Sequence, residues 1–234
     1  MNNNLNSKKI KDFSRSRLWG NYGVLISAII VESTLIYVAK LMVNLEFSSA
    51  VLFLIASFII NLLSGLLISG RTYMYMNLVY ENPLQLSDLF YGFTFNQNKA
   101  IMLQLVFAVT SFVSSIPILL WENKNELMKQ HFNIWCISSI IILILALTVN
   151  IYLSQVFFLM HDFPERSVKQ LINSSIFLMK GNVFKYIKLM LSFIPFLILG
   201  VITMFIPLLW VFCYIRASQA HFYRELISSH DDNA

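Results

Sequence analysis

Apolar residues in this chain of 234 come in long continuous runs, not in the alternating or one-sided patterns of a soluble fold. Six stretches reach membrane-spanning length, at about residues 22–43, 50–80, 100–121, 134–160, 183–202 and 206–226, since a helix crosses a bilayer with about 20 apolar residues. Runs such as 137–149 and 193–205 lack the period-two alternation of barrel strands, and a backbone in lipid must satisfy its own hydrogen bonds, so helices are predicted. The expected fold is all-α: a polytopic membrane bundle of six transmembrane helices. The second run keeps its helical pattern to Tyr80 and stops before Pro83, and the fourth ends before Asp162 and Pro164. Polar loops at 44–49 and 122–133 join the first two hairpins, whereas only a tight turn separates the fifth and sixth spans. Pro195 and Pro207 are expected to kink or start helices, and residues 228–234 to form a disordered tail.

Two inter-span segments have a one-sided pattern. Leu86, Leu89, Phe90 and Phe93 recur at i, i+3, i+4 and i+7, and Val168, Leu171, Ile172, Ser175, Ile176 and Met179 form one helical face, opened by a Ser167–Gln170 capping box. Both predict amphipathic helices on the inner membrane surface, covering the ends of neighbouring spans or lying on lipid. A polar step precedes three spans: Trp19-Gly20-Asn21-Tyr22, Phe95-Asn96-Gln97-Asn98-Lys99 and Lys180-Gly181-Asn182-Val183. Ser154, Gln155 and Phe158 recur as Ser218, Gln219 and Phe222, and Arg71 precedes Glu81 about as Arg216 precedes Glu225. A single domain of three parallel hairpin repeats, at 8–82, 84–163 and 165–227, is the expected organisation.

Composition agrees: 57% of the residues are hydrophobic and 12% charged, against about 25% charged in soluble domains. If the spans alternate from a cytoplasmic N-terminus, all 17 lysines and arginines except Lys40, Lys124 and Lys129 fall on one side, which the positive-inside rule makes the cytoplasm. Both termini are then cytoplasmic. The net charge of +5 is expected to meet anionic lipid headgroups, not nucleic acid. Trp19, Trp121, Trp135, Tyr22 and Tyr223 fit an interfacial aromatic belt. Cys136 and Cys213 lie within apolar runs and read as small apolar fillers.

The motifs Gly20-Asn21-Tyr22-Gly23, Pro164-Glu165-Arg166-Ser167, Leu178-Met179-Lys180-Gly181-Asn182 and Phe222-Tyr223-Arg224-Glu225-Leu226 resemble those of the bacterial membrane family catalogued as domain of unknown function 975. The resemblance is most specific over 150–227, and Val183 before Phe184 departs slightly from its pattern. It implies six spans in a bacterial cytoplasmic membrane, and no established activity or catalytic residues.

Glu32 is the sharpest candidate for chemistry, near the centre of the first span. A charge there costs about 2.5–3.5 kcal/mol on insertion scales, so it must face protein or water, or be protonated. Helical rise puts Arg216 at similar depth; a Glu32–Arg216 pair is expected first, with Arg71 the alternative partner. Asn61, Gln104, Asn150, Gln155 and Gln219 are further polar residues at membrane depth, serving as interhelical hydrogen bonds or as the lining of a hydrated cavity. Gln155 and Gln219, equivalent under the repeat, are the first cavity-lining candidates. His131, His161, His221 and His230 have no ligand spacing, and no metal or other cofactor is expected. No enzymatic activity is expected either. Two functions compete: a non-enzymatic accessory, partner-binding or immunity-type protein of the cell envelope, engaging a membrane protein partner, or a small transporter or binder of an apolar, lipid-like or peptide substrate. A polar cavity open to one side would favour the second.

Overall fold

The computed structural model describes residues 6–46, 50–122 and 132–231. Its elements are α1 (Ser7–Leu18), α2 (Tyr22–Glu46), α3 (Ala50–Val79), a 3₁₀ helix (Leu86–Phe93), α4 (Gln97–Glu122), α5 (Phe132–Tyr152), α6 (Val156–Asp162), α7 (Val168–Met179), α8 (Val183–Leu191), α9 (Ile194–Ile202) and α10 (Leu208–Asp231). No strand occurs among the described residues. Five segments are long and apolar enough to cross a membrane: Tyr22–Glu46, Val51–Val79, Gln97–Pro117, Trp135–Asp162 and Val183–Ile202. The sixth expected span corresponds to α10, which has the length but carries Arg216, Gln219, His221, Arg224 and Glu225 from its middle onward. The helix also continues through Ser228 to Asp231, where an irregular tail was expected.

The order of elements is a short helix and then two long helical segments, three times over. The joint between the short helix and the first long one is built alike each time. Gly20, Asn96 and Gly181 have left-handed φ values of 90°, 51° and 84°. The next residue's side-chain amide then donates back four residues: Asn21 to the Arg17 carbonyl at 3.0 Å, Gln97 to the Phe93 carbonyl, and Asn182 to the Leu178 carbonyl at 3.1 Å. A helix ends with carbonyls that lack intrahelical donors, so each amide caps the short helix while the left-handed residue turns the chain into its span. Glycine adopts that conformation without strain, and asparagine tolerates it.

All three short helices lie at one end of the bundle, here called the near end, and the core lies there too. Leu89, Leu103, Leu159, Leu171, Met179, Phe193, Phe222 and Tyr223 are buried to 1% exposure or less. Small residues permit close approach. A Cβ on Gly70 would sit 1.8 Å from the Leu89 carbonyl oxygen, and one on Gly92 would sit 2.1 Å from that of Leu66, so the 3₁₀ helix lies backbone against backbone on α3.

Three expectations are corrected at this end. The segment read as an α-helix with a Leu86/Leu89/Phe90/Phe93 face is a 3₁₀ helix, whose faces repeat every three residues. Leu89 and Gly92 therefore point inward, while Phe90 and Phe93 are exposed. On α7 the capping box forms as expected, and Leu171, Ser175 and Met179 are buried, but Leu178 joins them and Ile176 turns out. Tyr223, expected at the interface, is a core residue whose hydroxyl donates to Asp162 Oδ2 at 2.6 Å.

The fourth and fifth spans are interrupted. Between α5 and α6 the ladder tightens to i→i−3 bonds, Ser154 to Ile151 at 3.2 Å and Val156 to Leu153 at 3.1 Å. Ser175 of α7 donates to the Tyr152 carbonyl at 2.8 Å, satisfying an acceptor that the break exposes. Between α8 and α9 the break falls at Ser192–Phe193, with Pro195 in the first turn of α9, where no helical N–H is lost.

Candidate functional site

Glu32 is 5% exposed, and its Oε1 accepts from Arg71 Nη1 at 2.6 Å. Of the two partners considered, α3 supplies the one that closes; the Glu32–Arg216 pair expected first is not formed. Helix α2 packs on both α3 and α10, more extensively on its hairpin partner α3, and Arg71 is the arginine whose side chain reaches Glu32. Arg216 donates to Gln219 Oε1 at 3.0 Å, one turn along its own helix. It has no carboxylate within ion-pair distance among the described residues. It is surrounded by protein, with the like charge of Arg71 nearby, yet keeps accessible surface. That surface faces a cavity.

The cavity has a volume of about 280 Å³ and is half open. All three hairpins contribute: Arg71, Thr72 and Tyr75 from α3; Phe107 from α4; Asn150, Leu153, Ser154, Phe157 and Phe158 around the α5–α6 break; and Tyr186, Arg216 and Gln219 from α8 and α10. Most of its polar atoms already have partners. Thr72 donates to the Ile68 carbonyl, Asn150 to Ala146 and Ser154 to Ile151, each at 2.8 Å. Gln219 Nε2 reaches the Tyr186 hydroxyl at 2.9 Å. The buried Tyr75 hydroxyl lies beside the Cys213 thiol but makes no hydrogen bond of ordinary geometry.

The other sequence candidates divide between cavity and packing. Gln219 and Asn150 line the cavity, with Asn150 exposed at its mouth. Gln155 does not: it is fully buried and donates to Ser154 Oγ at 2.8 Å and towards Met179 Sδ of α7. Asn61 and Gln104 act between helices, Gln104 Nε2 reaching the Asn61 side-chain oxygen at 3.0 Å and its carbonyl at 3.2 Å. No group of His, Cys, Asp and Glu suited to a metal ion occurs among the described residues. His131, Lys124 and Lys129 lie outside them.

Tyr75, Tyr186 and the aromatic wall were not singled out from sequence. Spacing carried the signal: Tyr75 stands one turn after Arg71, and Gln219 one turn after Arg216, so each helix presents a charged and a polar residue on one face.

The α10 arm of the third hairpin is short above the cavity. Taking Arg71, Asn150 and Arg216 as one level, helical rise carries α3 about 32 Å further, α5 about 27 Å and α10 only about 12 Å, while the interrupted α8–α9 arm rises about 24 Å from Tyr186. The turn of this hairpin is apolar as well: Met204, Phe205 and Ile206 are 81%, 63% and 65% exposed, and 193–210 contains no charged residue. Helix α5 packs on α4 and α7 and barely touches α8–α10, so the bundle is open on that side.

A family model described as "Protein of unknown function (DUF975)" matches residues 1–230. No curated protein and no solved structure matches the chain.

Proposed function

We propose that this chain, a member of the DUF975 family, is a non-enzymatic membrane protein that binds or carries a small lipid-like or peptide ligand in the cavity between its hairpins. The observation that supports this reading is the half-open polar cavity at membrane depth, lined by all three hairpins. An accessory protein acting through the outer faces of its spans has no use for one. Among the described residues neither carboxylate nor histidine lines the cavity, and Glu32 nearby is held by Arg71, which supports binding over acid–base chemistry. We take the near end as cytoplasmic, because Lys8, Lys9, Arg15, Arg17, Arg166, Lys169 and Arg224 lie there; the bacterial cytoplasmic membrane is the setting this implies.

Extraction of the full chain into native-membrane nanoparticles, followed by mass spectrometry of what co-purifies, tests the reading. A lipid or peptide retained at about one per chain is expected, and Ser154→Phe, which fills the cavity, removes it. A stoichiometric protein partner whose retention ignores Ser154→Phe would overturn the ligand reading and favour the accessory one.

A further inference from the structure

Among the described residues, the cavity contains one cation more than its surroundings neutralise. Arg71 is matched by Glu32. Arg216 has only a neutral amide, and a guanidinium offers five N–H donors in a fork suited to carboxylate or phosphate. The hydroxyl and amide protons of Thr72, Asn150 and Ser154 already go to carbonyls of their own helices. Arg216 gives one N–H to Gln219 and keeps further guanidinium donors on the face turned to the cavity.

The remaining wall is apolar, from Phe107, Leu153, Phe157 and Phe158. At about 280 Å³ the cavity holds a headgroup and a few carbons, not a whole acyl chain. Its open side is where α5 stands apart from α8–α10 and where the short α10 arm of the third hairpin leaves the spans on either side unopposed. A chain attached to a head on Arg216 can leave there, into lipid, without crossing a polar surface.

We infer that the ligand is an anionic amphiphile: a carboxylate or phosphate head bound by Arg216, its apolar chain passing sideways beside the α10 arm of the third hairpin. This rests on the ligand-binding reading above and names the chemistry of its ligand.

The test uses the purified full chain in a neutral maltoside detergent, with binding read by native mass spectrometry and folding by thermal melting. Laurate and dodecyl phosphate are the probes, dodecanol the uncharged control of equal chain length, and inorganic phosphate the control without a chain. The two anionic probes are expected to bind saturably at one per chain and at least tenfold more tightly than dodecanol. Arg216→Gln should weaken them at least tenfold, and Arg216→Lys should retain most of the binding. Dodecanol binding as tightly as laurate, unaffected by Arg216→Gln, would overturn the anionic head while leaving a ligand cavity in place. Inorganic phosphate binding as tightly as dodecyl phosphate would replace the amphiphile with a free anion. Folded protein that binds none of the four, and retains no co-purified lipid or peptide, would remove the ligand reading itself. Should Arg216→Gln fail to fold, the ranking of probes on the unaltered chain and on Arg216→Lys decides.

Discussion

The near and far halves of this bundle are made of the same helices and packed by different rules. At the near end, side chains from all three hairpins and all three short helices interlock, and residues such as Met74, Leu103, Met160 and Cys213 are sealed from solvent. Beyond Glu32 on α2 and before Gly65 on α3 no residue is buried, and α5 has no buried residue among those whose side chains are described. The far half is no less apolar: Ile137, Ile141, Leu143, Ile144, Leu145 and Leu147 are all more than 50% exposed. Hydrophobicity does not hold spans together in lipid, because lipid tails are as apolar as leucine. Association occurs where small residues admit close approach or polar groups meet, as at Gly65, Gly70, Ser69, Ala100, Ala217 and Ser218 in the near half; Gly200, packed on Leu208, is the counterpart in the far half.

The contrast is broken most severely by removing the charge that joins α2 to α3. Glu32→Gln leaves the partly buried Arg71 beside Arg216 without a counter-charge, and should cost about 3 kcal/mol, the low end for a buried pair, read as a large fall in melting temperature in detergent. Glu32→Leu combined with Arg71→Met should recover most of that loss; a double variant as unstable as the single would mean that the pair does more than neutralise itself. Next, Gly70→Ala drives a Cβ into the Leu89 carbonyl, a backbone group that cannot swing aside, and should cost about 3 kcal/mol, the upper end of overpacking. Gly23→Ala, with nothing within 4 Å, should be neutral or stabilising by up to about 1 kcal/mol. Equal effects at the two glycines in a protease-resistance assay would deny the near end its close packing. Gln104→Ala removes one interhelical contact at the boundary between the halves and should cost about 0.6 kcal/mol, detectable as a small shift in unfolding by denaturing detergent. Smallest of all, Leu145→Ala, at a position 60% exposed, should change stability by less than about 0.5 kcal/mol. A core-sized loss there would mean that the far half closes upon itself or on another chain.

Five of the six expected spans were legible in the sequence because an apolar run of about 20 residues has few other uses. The joints were legible only as a recurring polar step, not as left-handed residues followed by capping amides. The 3₁₀ helix was not legible, because periods of 3.0 and 3.6 barely separate over eight residues and the phenylalanines gave the longer one weight. For the site, counting rise along each helix gives height but not rotation. Counting put Glu32 and Arg216 at similar height and favoured that pair, whereas the fold pairs Glu32 with Arg71, the alternative. The same ambiguity set Gln155 and Gln219 side by side under the repeat, although the α5–α6 break turns Gln155 towards α7.

The unequal helices also bear on the bilayer around the protein. The α10 wall, which ends about 12 Å past the cavity next to others that continue for about 24–32 Å, presents two hydrophobic thicknesses at one perimeter. Lipid meets such a mismatch by thinning locally, so headgroups of the far leaflet would sag at that corner towards Arg216. Host membranes of shorter acyl chains would relax this dimple and longer ones would deepen it, making membrane thickness a determinant of how easily the cavity exchanges its contents.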